Sequence, residues 1–184
     1  HTMDLLFTHF GISGPAALRC SSFVNKELEK TGEPVTLSLD CFPTQTKQEL
    51  IHLLTEKSKT TKKNLVNAWH GLLPERLLVF FLERLEMDHL TGQQASQKQI
   101  QDFVQLCKEF KLSINKTFPI EKSFVTGGGV SLKEIHPKTL ESKIIDGLYF
   151  AGELLDVNGY TGGFNITAAF ATGHVAGMNA GQRA

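Results

Sequence analysis

The chain alternates between two hydrophobic rhythms, and the changes of rhythm mark its elements. Leu5-Leu6-Phe7-Thr8 is a short apolar run that predicts a strand. Ser13 or Gly14 then caps a helix whose first position is Pro15, where a missing N–H costs nothing, and Ala16, Ala17, Leu18 and Cys20 carry it to about Val24. Gly32 and Pro34 mark a turn. Val35, Leu37, Leu39 and Cys41 alternate with Thr36, Ser38 and Asp40, the period of a half-buried strand. From Thr46 the period lengthens. Thr46 and Glu49 have the spacing of a capping box, and Leu50, Ile51, Leu53 and Leu54 form one helical face. Leu65 to Trp69 predicts a short helix closed by Gly71. Pro74 opens another, with Leu77, Leu78, Phe81, Leu82 and Leu85 inward. Ser96 caps the next, with Ile100, Phe103, Val104, Cys107 and Phe110 on its inner side. Leu112–Asn115 and Ser123–Thr126 then read as strands that pair with the earlier ones, followed by short extended pieces at Val130–Ile135 and Ser142–Ile145. Leu148-Tyr149-Phe150-Ala151 is a last buried strand, and a helix pattern starts near Asn165.

This order predicts an α+β fold. Residues 1–43 and 111–145 make a small β-rich, barrel-like subdomain, and residues 44–110 a helical insertion whose short loops suit a local bundle. Residues 146–184 form a terminal strand–loop–helix of a Rossmann-like unit. Trp69, Phe80, Phe81, Phe103 and Phe110 are expected to pack between helices rather than line a cofactor, and the lysines of the insertion to face water.

Composition narrows the function. Nineteen Lys and Arg balance nineteen Asp and Glu, so net charge leaves no footprint for nucleic acid. The three cysteines, Cys20, Cys41 and Cys107, lack metal spacing and read as reduced, packed thiols of a cytoplasmic protein. No apolar run reaches the ~18–20 residues a membrane helix needs, so no membrane partner is expected. The histidines are scattered without metal spacing, and no nucleophile or general base stands out. No metal site and no catalytic residue are assigned.

Chemistry concentrates near the C-terminus. After the strand at 148–151 come Gly152, Glu153 and Asp156, then Gly159, Gly162 and Gly163, then the helix. Glycines let backbone approach a ligand, the helix start offers free amides to negative charge, and a carboxylate accepts hydrogen bonds from cofactor hydroxyls. Gly162, Gly163, Phe164 and Asn165 stand where such amides are presented, with Asn165 able to cap the helix or donate to a ring edge. Thr126-Gly-Gly-Gly-Val130, with Gly128 and Gly129 central, is a second glycine stretch that suits either a close approach or a plain hairpin.

These segments carry a resemblance. Thr126-Gly-Gly-Gly-Val130, Gly147-Leu-Tyr-Phe-Ala-Gly-Glu153, Gly159-Tyr-Thr-Gly-Gly-Phe-Asn165 and the opening Leu6-Phe-Thr-His-Phe-Gly-Ile-Ser-Gly-Pro-Ala16 resemble the C-terminal portion of bacterial three-domain FAD-dependent oxidoreductases, the aminoacetone oxidase or BaiN-like flavoproteins. The resemblance implies FAD as cofactor, with Glu153 towards its ribityl or phosphate region and the 126–130 loop near the ring. It also implies a parent enzyme that oxidises a small amine or related small molecule by hydride transfer to flavin, with oxygen or NAD(P) taking the electrons. The pattern departs from a complete FAD fold in one respect: no strand–GxGxxG–helix unit for the pyrophosphate occurs. The expectation is therefore a piece of a longer protein, partnered by an N-terminal FAD domain. Alone it is expected to hold flavin weakly or not at all and to self-associate through uncovered apolar surface. The competing reading is a non-catalytic module that uses the glycine loop for a nucleotide or a protein.

Overall fold

The computed structural model describes residues 1–123, 125, 127–159 and 162–182. In chain order the elements are β1 (Leu6–Thr8), β2 (Gly11–Ser13), α1 (Pro15–Thr31), β3 (Val35–Leu39), α2 (Lys47–Lys59), α3 (Leu65–Ala68), α4 (Glu75–Arg84), α5 (Gln97–Lys108), β4 (Phe110–Ile114) and α6 (Gly162–Gln182). They fall into two compact units, residues 34–114 and residues 1–33 with 115–184. The fold is α+β.

In the unit of residues 34–114, β3 and β4 pair antiparallel from Val35↔Ile114 to Leu39↔Phe110. The alternation of β3 is kept, with Val35, Leu37 and Leu39 half-buried and Thr36 and Ser38 exposed. Helices α2 to α5 close over a core of Leu50, Leu54, Leu65, Trp69, Leu78, Phe81, Leu82, Ile100, Phe103 and Val104. Burying such side chains contributes about 1.5–3 kcal/mol each before entropy. Trp69 meets Phe103 at 4.8 Å between ring centroids and Phe81 meets Phe110 at 5.0 Å. The aromatic cluster is thus core packing rather than a cofactor lining, with Phe110 supplied by β4 instead of the helix expected to carry it and Phe80 turned outward, 43% exposed. The expected capping box of Thr46 with Glu49 forms, and Ser96, expected as a cap, makes a second box with Gln99, because each Ser or Thr oxygen accepts a first-turn amide and the acid or amide side chain reaches back.

The strands β3 and β4 sit in the same compact unit as the helices. The expected division put them in the β-rich part. Their cross-chain pairing closes the helical segment at its two ends, and local periodicity carries no sign of that.

The unit of residues 1–33 and 115–184 begins with the hairpin β1–β2, register Leu6↔Ser13 to Thr8↔Gly11. Gly14, at φ 88°, leads into α1, and Pro15 takes the first position as expected. The helix runs beyond Val24 to Thr31, since Lys26-Glu-Leu-Glu-Lys30 are good helix formers whatever their polarity, and Gly32 ends it in the left-handed region at φ 68°. Ile120–Lys122 is a 3-10 turn, and no strand occurs at 123–126 among the described residues; Phe124 and Thr126 lie outside them. Farther on, the expected extended piece at 130–135 holds a 3-10 turn at Leu132–Glu134, and the expected strand at 148–151 is not one: the single bridges Ile135↔Ser142 and Glu141↔Tyr149 form instead.

Candidate cofactor-binding site

Three glycine segments of the second unit are held in place, one by the middle of α6, one by the 152–156 loop and one by the start of α6. The chain leaves Tyr149–Ala151, turns at Gly152 (φ 66°) and makes a 3-10 turn over Gly152–Leu154. Gly152 N–H donates to Thr172 Oγ1 at 2.9 Å, and the same hydroxyl donates to Ala168 O at 2.6 Å. The turn is thereby tied to the second half of α6. A threonine that back-bonds within a helix while accepting from a distant glycine leaves no mark in the sequence, so Thr172 is a positioning residue that pattern reading misses.

The glycine triplet joins the same loop. Val130 N–H donates to Leu154 O (2.8 Å) and Asp156 N–H donates to Val130 O (3.2 Å), a parallel bridge of Val130 to Leu155. A Cβ on Gly129 would lie 2.6 Å from Leu155 C and 2.7 Å from Asp156 N, so only glycine lets these two backbones meet. Beneath the bridge, Ile135, Leu140, Leu155 and Ala176 form a small core, with Val130, Tyr149, Phe150 and Val175 packed on it.

The third segment is the entry to α6. Asn165 is buried, and both ends of its amide are bound to Gly159: the glycine N–H donates to Oδ1 at 2.8 Å and Nδ2 donates to the glycine carbonyl at 3.2 Å. Asn165 therefore fixes the loop shape rather than presenting its amide outward. A Cβ on Gly159 would come within 2.6 Å of Phe164 Cβ.

Of the sequence-predicted residues, the structure brings Gly128 and Gly129 beside the Gly152–Asp156 loop and ties that loop to α6. Glu153 and Asp156 are exposed, the latter accepting from Asn158 Nδ2 at 3.3 Å. Gly162, Gly163 and Phe164 form the first turn of α6, whose leading amides have no partner within the helix. Phe164 is 65% exposed. Thr126 lies outside the described residues.

Gly127 and Gly163 differ from the other glycines here. Neither has a left-handed φ, and a Cβ at either would meet nothing within 4 Å. Nothing in the described chain requires glycine there, while glycine in a helix interior costs about 1 kcal/mol against alanine. Backbone left open in this way can be approached closely by a ligand. Exposed glycine backbone, helix-start amides and two exposed carboxylates are of a chemistry that suits a group with a negative ring edge and a polyhydroxylated tail, as in the ring and ribityl end of a flavin.

Comparison with known proteins follows the same lines. Residues 1–125 match the model of the HI0933-like protein barrel and H2TH domain, and residues 90–179 match that of the HI0933-like protein Rossmann domain. The chain belongs to the HI0933-like family of flavoproteins. It is 32% identical over 184 residues to the 3-dehydro-bile acid delta(4,6)-reductase of Clostridium scindens, covering 99% of this chain and 45% of that protein. It is 31% identical over 177 residues to the ribosomal RNA dihydrouridine synthase of Haemophilus influenzae (96% and 42%). To the protein of that name in Escherichia coli it is 29% identical over 169 residues (92% and 40%). The HI0933-like chain thus spans less than half the length of these curated relatives.

Proposed function

We propose that this chain is part of an FAD-dependent oxidoreductase that adds hydrogen across a carbon–carbon double bond conjugated to a carbonyl. Residues 127–129, 152–156 and 162–165 hold the isoalloxazine and ribityl end of FAD in this reading. The observation that carries it is the joining of the two glycine loops by the Val130–Leu155 bridge and their tie, through Gly152 and Thr172, to the helix that starts at Gly162. Bound there, FAD supplies a two-electron hydride donor and acceptor. The first-turn amides of α6 hold negative charge at the ring edge by their dipoles. Glu153 and Asp156 accept from the ribityl hydroxyls. Asn165 keeps the 159–165 loop in shape so that these amides stay aimed, and the glycines leave room for the ring.

The direction of the reaction draws on the relatives. One is by name a delta(4,6)-reductase, and the other two are by name synthases of dihydrouridine, a base carrying two more hydrogens than uridine. Both names describe reduction of a double bond. Oxidation of a small amine, implied by the family resemblance, runs the hydride the opposite way and is the second reading. The test is the whole protein under anaerobic conditions with NAD(P)H. The reductase reading expects NAD(P)H consumption to rise on addition of a steroid enone or a uridine-containing RNA. Anaerobic bleaching of the flavin by a small amine without NAD(P)H, together with no rise in NAD(P)H consumption on adding unsaturated carbonyl compounds, contradicts it.

A further inference from the structure

The zero net charge of the whole chain hides a local imbalance in the helical unit. Between Glu56 and Glu75 there is no carboxylate, while Lys57, Lys59, Lys62 and Lys63 fall within seven residues. Elsewhere on the unit, three of the four lysines are paired with acids: Lys47 with Glu109 at 2.6 Å, Lys98 with Asp102 at 3.0 Å and Lys108 with Asp40 at 2.6 Å. In the run only Lys59 is paired, with Glu56 at 2.9 Å on the open surface. Such an exposed pair contributes at most about 1 kcal/mol and yields readily to a stronger anion. Lys57, Lys62 and Lys63 form no ion pair among the described residues.

The carbonyl end of α2 accounts for cations in its last turn, Lys57 and Lys59. Lys62 and Lys63 lie beyond it, on the connection to α3, where the end of α2 gives no account of their charge. The backbone beneath is held firmly. Gly92 N–H donates to Lys63 O at 3.0 Å, and a Cβ on Gly92 would sit 2.7 Å from Ser58 O, so α2's end and the 61–63 connection are pinned against the Thr91–Gly92 turn. Ser58 is fixed from within by the indole N–H of Trp69 at 3.0 Å. The exposed Lys62 and Lys63 therefore stand on a fixed backbone, and the exposed Asn64 and Asn67 follow them in the chain.

We propose that this face, Lys57 to Lys63, is a phosphate-contact surface for RNA. Residues 57–64 contain no apolar side chain to enter a lipid layer, which disfavours a membrane as the anion. A row of lysines flanked by hydroxyl and amide donors matches the phosphates and 2′-hydroxyls of an RNA backbone. The inference deepens the proposed reduction by giving one class of substrate a place to bind, and only that connection rests on the reductase reading. The contact itself needs no flavin.

The experiment uses the chain as it stands, with a fluorescein-labelled RNA hairpin followed by fluorescence anisotropy, and phosphatidylserine vesicles as a separate arm. Four phosphate contacts imply that affinity falls roughly 50- to 150-fold between about 50 and 200 mM potassium chloride. Replacing the four residues together (Lys57→Gln, Lys59→Gln, Lys62→Gln, Lys63→Gln) should remove most of that affinity and flatten the salt slope, while Lys98→Gln leaves both near the parent values. Far-UV circular dichroism checks that the variant is folded. Equal binding and equal slope in the fourfold variant overturn the proposal, as do absent hairpin binding at low salt and binding to vesicles without binding to RNA. Because flavin is not needed in this assay, its failure leaves the reductase reading standing, and a colourless whole protein leaves this one standing.

Discussion

Trp69, the one tryptophan of the chain, is fully buried and donates its indole N–H to Ser58 Oγ at 3.0 Å. Removing that acceptor strands a donor in an apolar core, which costs about 1–3 kcal/mol. Ser58→Ala is expected to lower the unfolding free energy of the chain by that amount, seen as a lower denaturant midpoint in Trp69 fluorescence. An unchanged midpoint would mean the indole finds another partner. The serine sits in a polar stretch that reads from sequence as a solvated helix end, so its burial was not legible, whereas the burial of Trp69 was. The same limit holds for Asn165 and Thr172. Their residue types suit caps, but the partners, Gly159 and Gly152, are six and twenty residues away and are set by the fold.

At the scale of elements, starts and stops were the legible part. Thr46, Ser96 and Pro15 begin helices through bonds and dihedrals within four residues, and Gly32 ends one. Pairing across long separations was not legible. The Val130–Leu155 bridge and the grouping of β3 and β4 with the helices both arise from contacts that no local period encodes. The corner after β3 shows how firmly one such junction is held. Lys108, near the end of α5, bonds Asp40 and also the carbonyls of Phe42 and Gln45 at 2.8 Å each, and Cys41 N–H donates to Cys107 O.

Both thiols at this corner resist ionisation. Burial, then the nearby Asp40 carboxylate, pushes Cys41 up to about 11 from 9.0, and burial with Cys41 and Asp40 raises Cys107 as well. The folded chain thus keeps protons that the unfolded chain releases, so this contribution to stability is complete below about pH 9 and is lost as the pH climbs towards 11. Denaturant midpoints across that window should fall more steeply for the parent than for Cys41→Ala. Parallel curves would show that the thiol does not matter.

At the scale of the molecule, α6 is the unfinished part. Its inner face, Asn165, Ala169, Thr172 and Ala176, is engaged, while Ile166, Phe170 and Met178 are more than half exposed, Phe170 at 77%. Gly173, Gly177 and Gly181 recur every four residues with open space where a Cβ would be. Glycines that cost about 1 kcal/mol each in a helix suit close approach of another backbone. Among the described residues no helix is long and apolar enough to cross a membrane. Exposed apolar side chains beside open glycines are the features of a packing surface. On its own the chain is expected to associate through it. Sedimentation should show mass rising with concentration, and Phe170→Glu should suppress the rise; a strictly monomeric chain at high concentration would count against it.

The central claim is that the start of α6 faces a flavin, and Gly163 tests it most directly. A side chain there meets open space in the described structure, so Gly163→Val should leave the melting of the chain within about 0.5 kcal/mol of the parent. The measurement is the FAD affinity of the whole protein with and without this substitution, read from the visible flavin spectrum. A flavin at the start of α6 gives a yellow parent and a variant that is folded but binds FAD at least about tenfold more weakly. Equal flavin affinity in parent and variant, or a folded parent that takes up no FAD, would contradict that claim.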